Sequence, residues 1–82
     1  MAWYVCKVGS VGPAEDGDVF IKLDDEGDGW SGLRWFKATG AVRKEMLAVA
    51  LTALPLGLLV QARLASATEY SLIERLYIRR SA

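Results

Sequence analysis

One stretch with the period of a helix, set in a chain otherwise patterned for strands, most constrains what this sequence can fold into. Thr39 to Leu54 (TGAVRKEMLAVALTAL) places Val42, Met46, Val49, Ala50 and Ala53 at helical spacing, flanked by Leu47, Leu51 and Leu54. Arg43, Lys44 and Glu45 mark the wet side near its start. Thr39 or Gly40 suits the N-cap, Pro55 disfavours helical geometry in the residue before it, and Gly57 can supply a positive φ. A helix is therefore predicted over 41–54.

The flanking segments alternate with a period of two. Strands are predicted near 3–8, 18–23, 33–38, 58–65 and 71–79. Between the first two, SVGPAEDG (10–17) reads as a turn, with Asp16-Gly17 as a hairpin signal, and DDEGDGWSG (24–32) reads as a polar hairpin tip. In the second strand Val19, Ile21 and Leu23 share one face, with Phe20 and Lys22 on the other. In the third, Leu33, Trp35 and Lys37 share one face and Arg34 and Phe36 the opposite one. The order β-β-β-α-β-β across a single domain, 1–82, is that of the OB-fold, a mostly β, five-stranded Greek-key barrel with one helix between its third and fourth strands. Barrels of that kind bind oligonucleotides and oligosaccharides.

An 82-residue chain buries only about 60% of the surface its unfolded form exposes, yet 52% of these residues are apolar. One small barrel cannot hide that much, so a homo-oligomer is expected. The alanine-rich helix face suits close packing around an axis, and Leu47 and Leu51 are the candidate interface residues. Open strand edges argue the same way, because they need covering.

The formal net charge is zero, which lacks the basic footprint of a dedicated nucleic-acid binder. Arginines nevertheless gather late, at 63, 75, 79 and 80, while acids concentrate between Glu15 and Asp28. Cys6 is the sole cysteine, which excludes an intrachain disulfide; it is expected to be a buried, reduced thiol in the first strand. With no histidine in the chain, neither a Cys-His dyad nor a Ser-His-Asp triad can form. MAWYVCKV shows no basic n-region or apolar h-region, and the apolar run 46–60, broken by Thr52, Pro55 and Gly57, is too short to span a bilayer. A soluble protein of the reducing cytoplasm is expected.

Asp24-x-Glu26-x-Asp28-Gly29 resembles the opening of a calcium loop, but Glu26 stands where Asp or Asn is wanted and Trp35 where the bidentate Glu belongs. No metal, cofactor or enzymatic activity is expected. Paired acids such as Glu15-Asp16 and Asp24-Asp25 lie among glycines, where water keeps them ionised. The remaining signal is aromatic. Phe20 and Phe36 are expected to face outward and Trp30 to stand at a loop tip, which with Arg34 makes a candidate ligand surface. The leading reading is a non-catalytic binding or assembly module that recognises a carbohydrate or a protein. The alternative is single-stranded nucleic acid, bound by Arg34, Arg63, Arg75 and Arg79 with the same aromatics. Equally, those aromatics can simply pack against a neighbouring subunit.

KEMLAVALTALPLGLLVQAR (44–63), with its GxxVxA spacing at 57–62, followed by Ile73-x-x-Leu76-Tyr77-Ile78, resembles the helix and last two strands of small bacterial OB-fold proteins. Those proteins are similar to the pentameric B subunits of AB-type toxins, of the subtilase cytotoxin kind. The likeness covers the C-terminal half. It implies a ring of five barrels, helices lining a central pore and strands of adjacent subunits pairing edge to edge. Secreted members carry a signal peptide and usually a disulfide, whereas here Cys6 is alone.

Overall fold

A computed structural model describes residues 2–13, 18–38, 40 and 43–79. The strands are β1 (Ala2–Pro13), β2 (Val19–Asp25), β3 (Leu33–Ala38), β4 (Leu59–Leu64) and β5 (Ile73–Arg79), with one helix, α1 (Arg43–Leu56), between β3 and β4. The expected element order holds. All five strands lie in a single antiparallel sheet of order β3-β2-β1-β4-β5.

That sheet does not close into the expected barrel. The edge strand β3 meets the residue just before the other edge strand, β5, at an isolated parallel bridge, Lys37 to Leu72, and among the described residues no ladder joins the two edges. Instead the β4–β5 connection runs along the β3 edge. Arg34 donates to the Ala67 carbonyl at 2.9 Å, the Trp35 N–H to the Glu69 carboxylate at 3.2 Å, and the Lys37 N–H to the Ser71 carbonyl at 3.0 Å. The Trp35 carbonyl accepts the Tyr70 N–H at 2.6 Å. The chain thus covers its own β3 edge, where an edge left bare would invite another strand.

β1 is longer than the alternation suggested and takes in Ser10 to Pro13, expected to be turn. A bulge between Val8 and Ser10 makes this possible: the extra residue lets Val8 pair with Leu23 and Val11 with Ile21, so both keep to the core side. Asp16-Gly17 and Glu15 lie outside the described residues.

The helix also differs at its end. It passes through Pro55, expected to stop it, and finishes at Leu56. In the last turn a proline already has a helical φ, and its missing N–H forfeits only the bond to the Leu51 carbonyl. The stop comes from Gly57, whose φ of +64° lets the Leu58 N–H reach the Ala53 carbonyl (3.1 Å) and the Gly57 N–H reach that of Leu54 (3.3 Å). At the other end Thr39 and Val42 lie outside the described residues.

The core fills the space between α1 and one face of the sheet. Cys6 and Val8 from β1, Val19, Ile21 and Leu23 from β2, and Val60, Ala62 and Leu64 from β4 meet Met46, Ala50 and Ala53 from the helix. The helix thus buries one methionine and two alanines, and the alanines leave room for its backbone to approach the strands.

β3 reverses the sequence reading. Phe36 and Ala38 are buried, and Trp35 and Lys37 face outward. The ladder shows why: Phe36 pairs with Ile21 and Ala38 with Val19, so they share the β2 core face. Trp30, expected at an exposed loop tip, is buried as well. Its ring packs between Tyr4 and Phe36 at centroid distances of 5.1 Å each, and its indole N–H donates to the Leu23 carbonyl at 3.2 Å. The tip of the β2–β3 hairpin folds back onto the core.

Candidate functional site

Of the four residues nominated as a ligand surface, the structure places only Phe20 in an open aromatic groove. Phe36 and Trp30 belong to the core. Arg34 shares their face of β3, opposite Leu23, and spends a guanidinium N–H on the Ala67 carbonyl. It braces the β4–β5 connection and does not meet Phe20.

The groove lies on the outer face of β1, β2 and β3. Register sets Gly12 opposite Phe20 and Phe20 opposite Lys37, with Ser10, Lys22 and Trp35 in the adjacent row. Phe20 meets Trp35 edge-on at 6.5 Å and Tyr70 edge-on at 5.9 Å. These three rings, with Val11 and Gly12, line a cavity of about 280 Å³. Gly12 bounds it by having no side chain: a Cβ there would meet nothing within 4 Å. The Lys22 ammonium stands 5.0 Å from the Trp35 ring centroid, where the ring's negative face attracts it.

Tyr70 comes from the β4–β5 connection and is 60% exposed. Its φ of +69° is a left-handed backbone conformation that costs a non-glycine residue about 1–2 kcal/mol. The bond to the Trp35 carbonyl holds it there and swings the phenol toward Phe20. Nothing in the local sequence SATEY marks this residue, because its position depends on a strand 35 residues away. Parity did not mark Trp35 either, since Lys37 shares its face while Arg34 shares that of Phe36.

A second aromatic pair lies on the outer face of the other half-sheet. Trp3 and Tyr77 stack with centroids 5.8 Å apart and planes 19° apart, and Arg75 donates to the Tyr77 hydroxyl at 3.3 Å. The sequence reading did not single them out, although the signal was there: Trp3 shares parity with Lys7, and Tyr77 with Arg75 and Arg79.

The acidic tip is organised for structure. Asp25 accepts the Gly27 N–H at 3.2 Å through one carboxylate oxygen and the Gly29 N–H at 2.6 Å through the other. Its charge closes the turn that returns Trp30 to the core. Among the described residues, no group of three or more His, Cys, Asp or Glu side chains is placed to hold a metal ion.

Cys6 sits in the core, and its thiol pKa is pushed up to about 12 by burial first and by Asp25, Asp24 and Glu26 next. A thiol so placed is neither nucleophile nor ligand at neutral pH. Among the described residues no helix is long and apolar enough to cross a membrane. The chain matches no protein-family model, and no curated protein and no solved structure is significantly similar to it.

Proposed function

We propose that this protein is a non-catalytic binding module whose outer-face groove takes a carbohydrate ring. The observation that carries the reading is the meeting of Phe20, Trp35 and Tyr70 around an open cavity beside Gly12. Sugar rings present apolar C–H faces to aromatic side chains, and Lys22 stands close enough to donate to ring hydroxyls from the groove's rim. The absence of histidine and the deep burial of the one thiol support binding without covalent chemistry.

The fold we infer behind this is OB-like. In its favour are the β1-β2-β3 and β1-β4-β5 pairings, the helix between β3 and β4, and the parallel bridge where the two edges come together. The module works as a cyclic homo-oligomer, with a pentamer as the first form to test. Exposed Leu51, Leu54 and Leu56 on the last two turns of α1 support an apolar contact there. The β3 edge, already covered by its own chain, gives association no support; the far edge of β5 is the one left for it.

Titration of the intrinsic tryptophan fluorescence against a panel of glycans tests the groove. Binding that is lost in Trp35→Ala and in Gly12→Leu, at unchanged circular dichroism, is the expected result. Binding that survives both substitutions rejects the groove. Silence toward every glycan rejects the carbohydrate and leaves a protein partner.

A further inference from the structure

The outward side of β1, β4 and β5 combines charge and aromatic surface in a way the groove does not. Strand register puts Trp3, Arg63 and Arg75 in one row, Val5, Gln61 and Tyr77 in the next, and Lys7, Leu59 and Arg79 in the third. These nine positions include four cations, two aromatics and no carboxylate, on a chain whose net charge is zero. Trp3 is 49% and Tyr77 48% exposed. Their rings stack across the intervening β4, so they form one continuous platform with the cations around it.

Two of the four charges are partly balanced from outside the patch. Lys7 lies 3.9 Å from Glu26, and the Arg63 Nε lies 3.5 Å from Glu74 in the β5 bulge. Arg75 and Arg79 on β5 are exposed. On its other edge Trp3 shares a cavity of about 290 Å³ with Asp25 and Asp28, which repels anions from that side. The favourable path for a polyanion therefore runs from Trp3 over β4 to β5.

We propose that this face binds single-stranded nucleic acid. Bases stack on Trp3 and Tyr77, while Arg63, Arg75, Arg79 and Lys7 take backbone phosphates. Three strands and three rows of side chains cover roughly 10 by 13 Å, a footprint of two or three nucleotides. Stacking tolerates any base, so the preference is for unpaired strands over a particular sequence. A duplex keeps its bases stacked on one another and can offer this platform only its phosphates. The site is separate from the carbohydrate groove: it uses none of Phe20, Trp35 or Tyr70.

Fluorescence anisotropy of labelled oligo-dT, titrated with the intact chain at several salt concentrations, is the test. Affinity should fall as salt rises, with a log–log slope of about −0.7 for each phosphate neutralised. Tyr77→Ala and Trp3→Ala should each weaken binding about tenfold and leave that slope unchanged. Arg75→Gln with Arg79→Gln should make the slope shallower by about 1.4, and both sit on exposed positions where folding is unaffected. Trp35→Ala should leave oligo-dT binding as it was. The proposal is overturned by no binding at low salt, by equal affinity for heparin and oligo-dT with no effect of the aromatic substitutions, or by equal affinity for a duplex. A loss caused by Trp35→Ala alone would move nucleic acid to the groove and equally overturn it.

Discussion

The Trp30 indole N–H donates to the Leu23 carbonyl at 3.2 Å, joining the tip of the β2–β3 hairpin to the strand that leads into it. With Tyr4 on one side and Phe36 on the other, the ring plugs the end of the core beneath an acidic loop. Replacing it by alanine leaves a cavity and removes that hydrogen bond. Trp30→Ala should cost about 3–5 kcal/mol, enough to unfold much of so small a domain. Trp30→Phe, which keeps most of the volume and loses the hydrogen bond, should cost about 1–2 kcal/mol. Urea denaturation followed by circular dichroism reads both. A cost below about 0.5 kcal/mol for Trp30→Ala would show the ring to be a surface residue.

Two glycines should respond to alanine in opposite directions. Gly57 caps α1 at φ +64°, with open space around it, so Gly57→Ala pays only for the left-handed backbone, about 1–2 kcal/mol. Gly12 sits in β1 with open space and no positive φ, so Gly12→Ala should be neutral or stabilise by about 0.5–1 kcal/mol. Differential scanning calorimetry should show the first melting lower and the second level with the parent or above it. Equal shifts would show that backbone conformation is not what separates them.

Cys6 makes stability fall at high pH. Its folded pKa is raised from 9.0 to about 12, so the unfolded chain gives up the proton first. The contribution is fully present below pH 9 and is lost as pH rises from there toward 12, at up to about 1.4 kcal/mol per pH unit. Cys6→Ala should flatten that part of the stability profile relative to the parent, whatever its constant cost from the smaller side chain. Thiol labelling of the native protein at pH 7–8 should be far slower than after denaturation. Labelling at the denatured rate would contradict the burial.

The proposed assembly rests on α1, and its two candidate leucines are not equivalent. Leu51 is 52% exposed, whereas Leu47 is half-buried and packs on the core cluster. Leu51→Glu should therefore dissociate the oligomer and leave the fold intact, while Leu47→Glu should disturb the monomer as well. Light scattering should give a multiple of 9.0 kDa for the parent chain and 9.0 kDa for Leu51→Glu. A parent mass of 9.0 kDa at micromolar concentration would reject the ring.

The number, kind and order of the elements were legible in the residues alone. Those follow from side-chain period and backbone chemistry, which act over a few residues: alternation at Val19, Ile21 and Leu23, helical spacing at Met46, Ala50 and Ala53, the left-handed backbone open to Gly57. The tertiary structure alone decided which face of β3 is inside. LRWFKA carries an aromatic at Trp35 and another at Phe36, one on each face, and only the pairing of Phe36 with Ile21 breaks the tie. The same holds for the groove. Tyr70 reaches Phe20 because its backbone is tied to Trp35, and Trp30 leaves the loop tip because Tyr4 and Phe36 make room for it. Each of these choices depends on residues more than five positions apart and on the space between packed elements, which a local pattern does not encode.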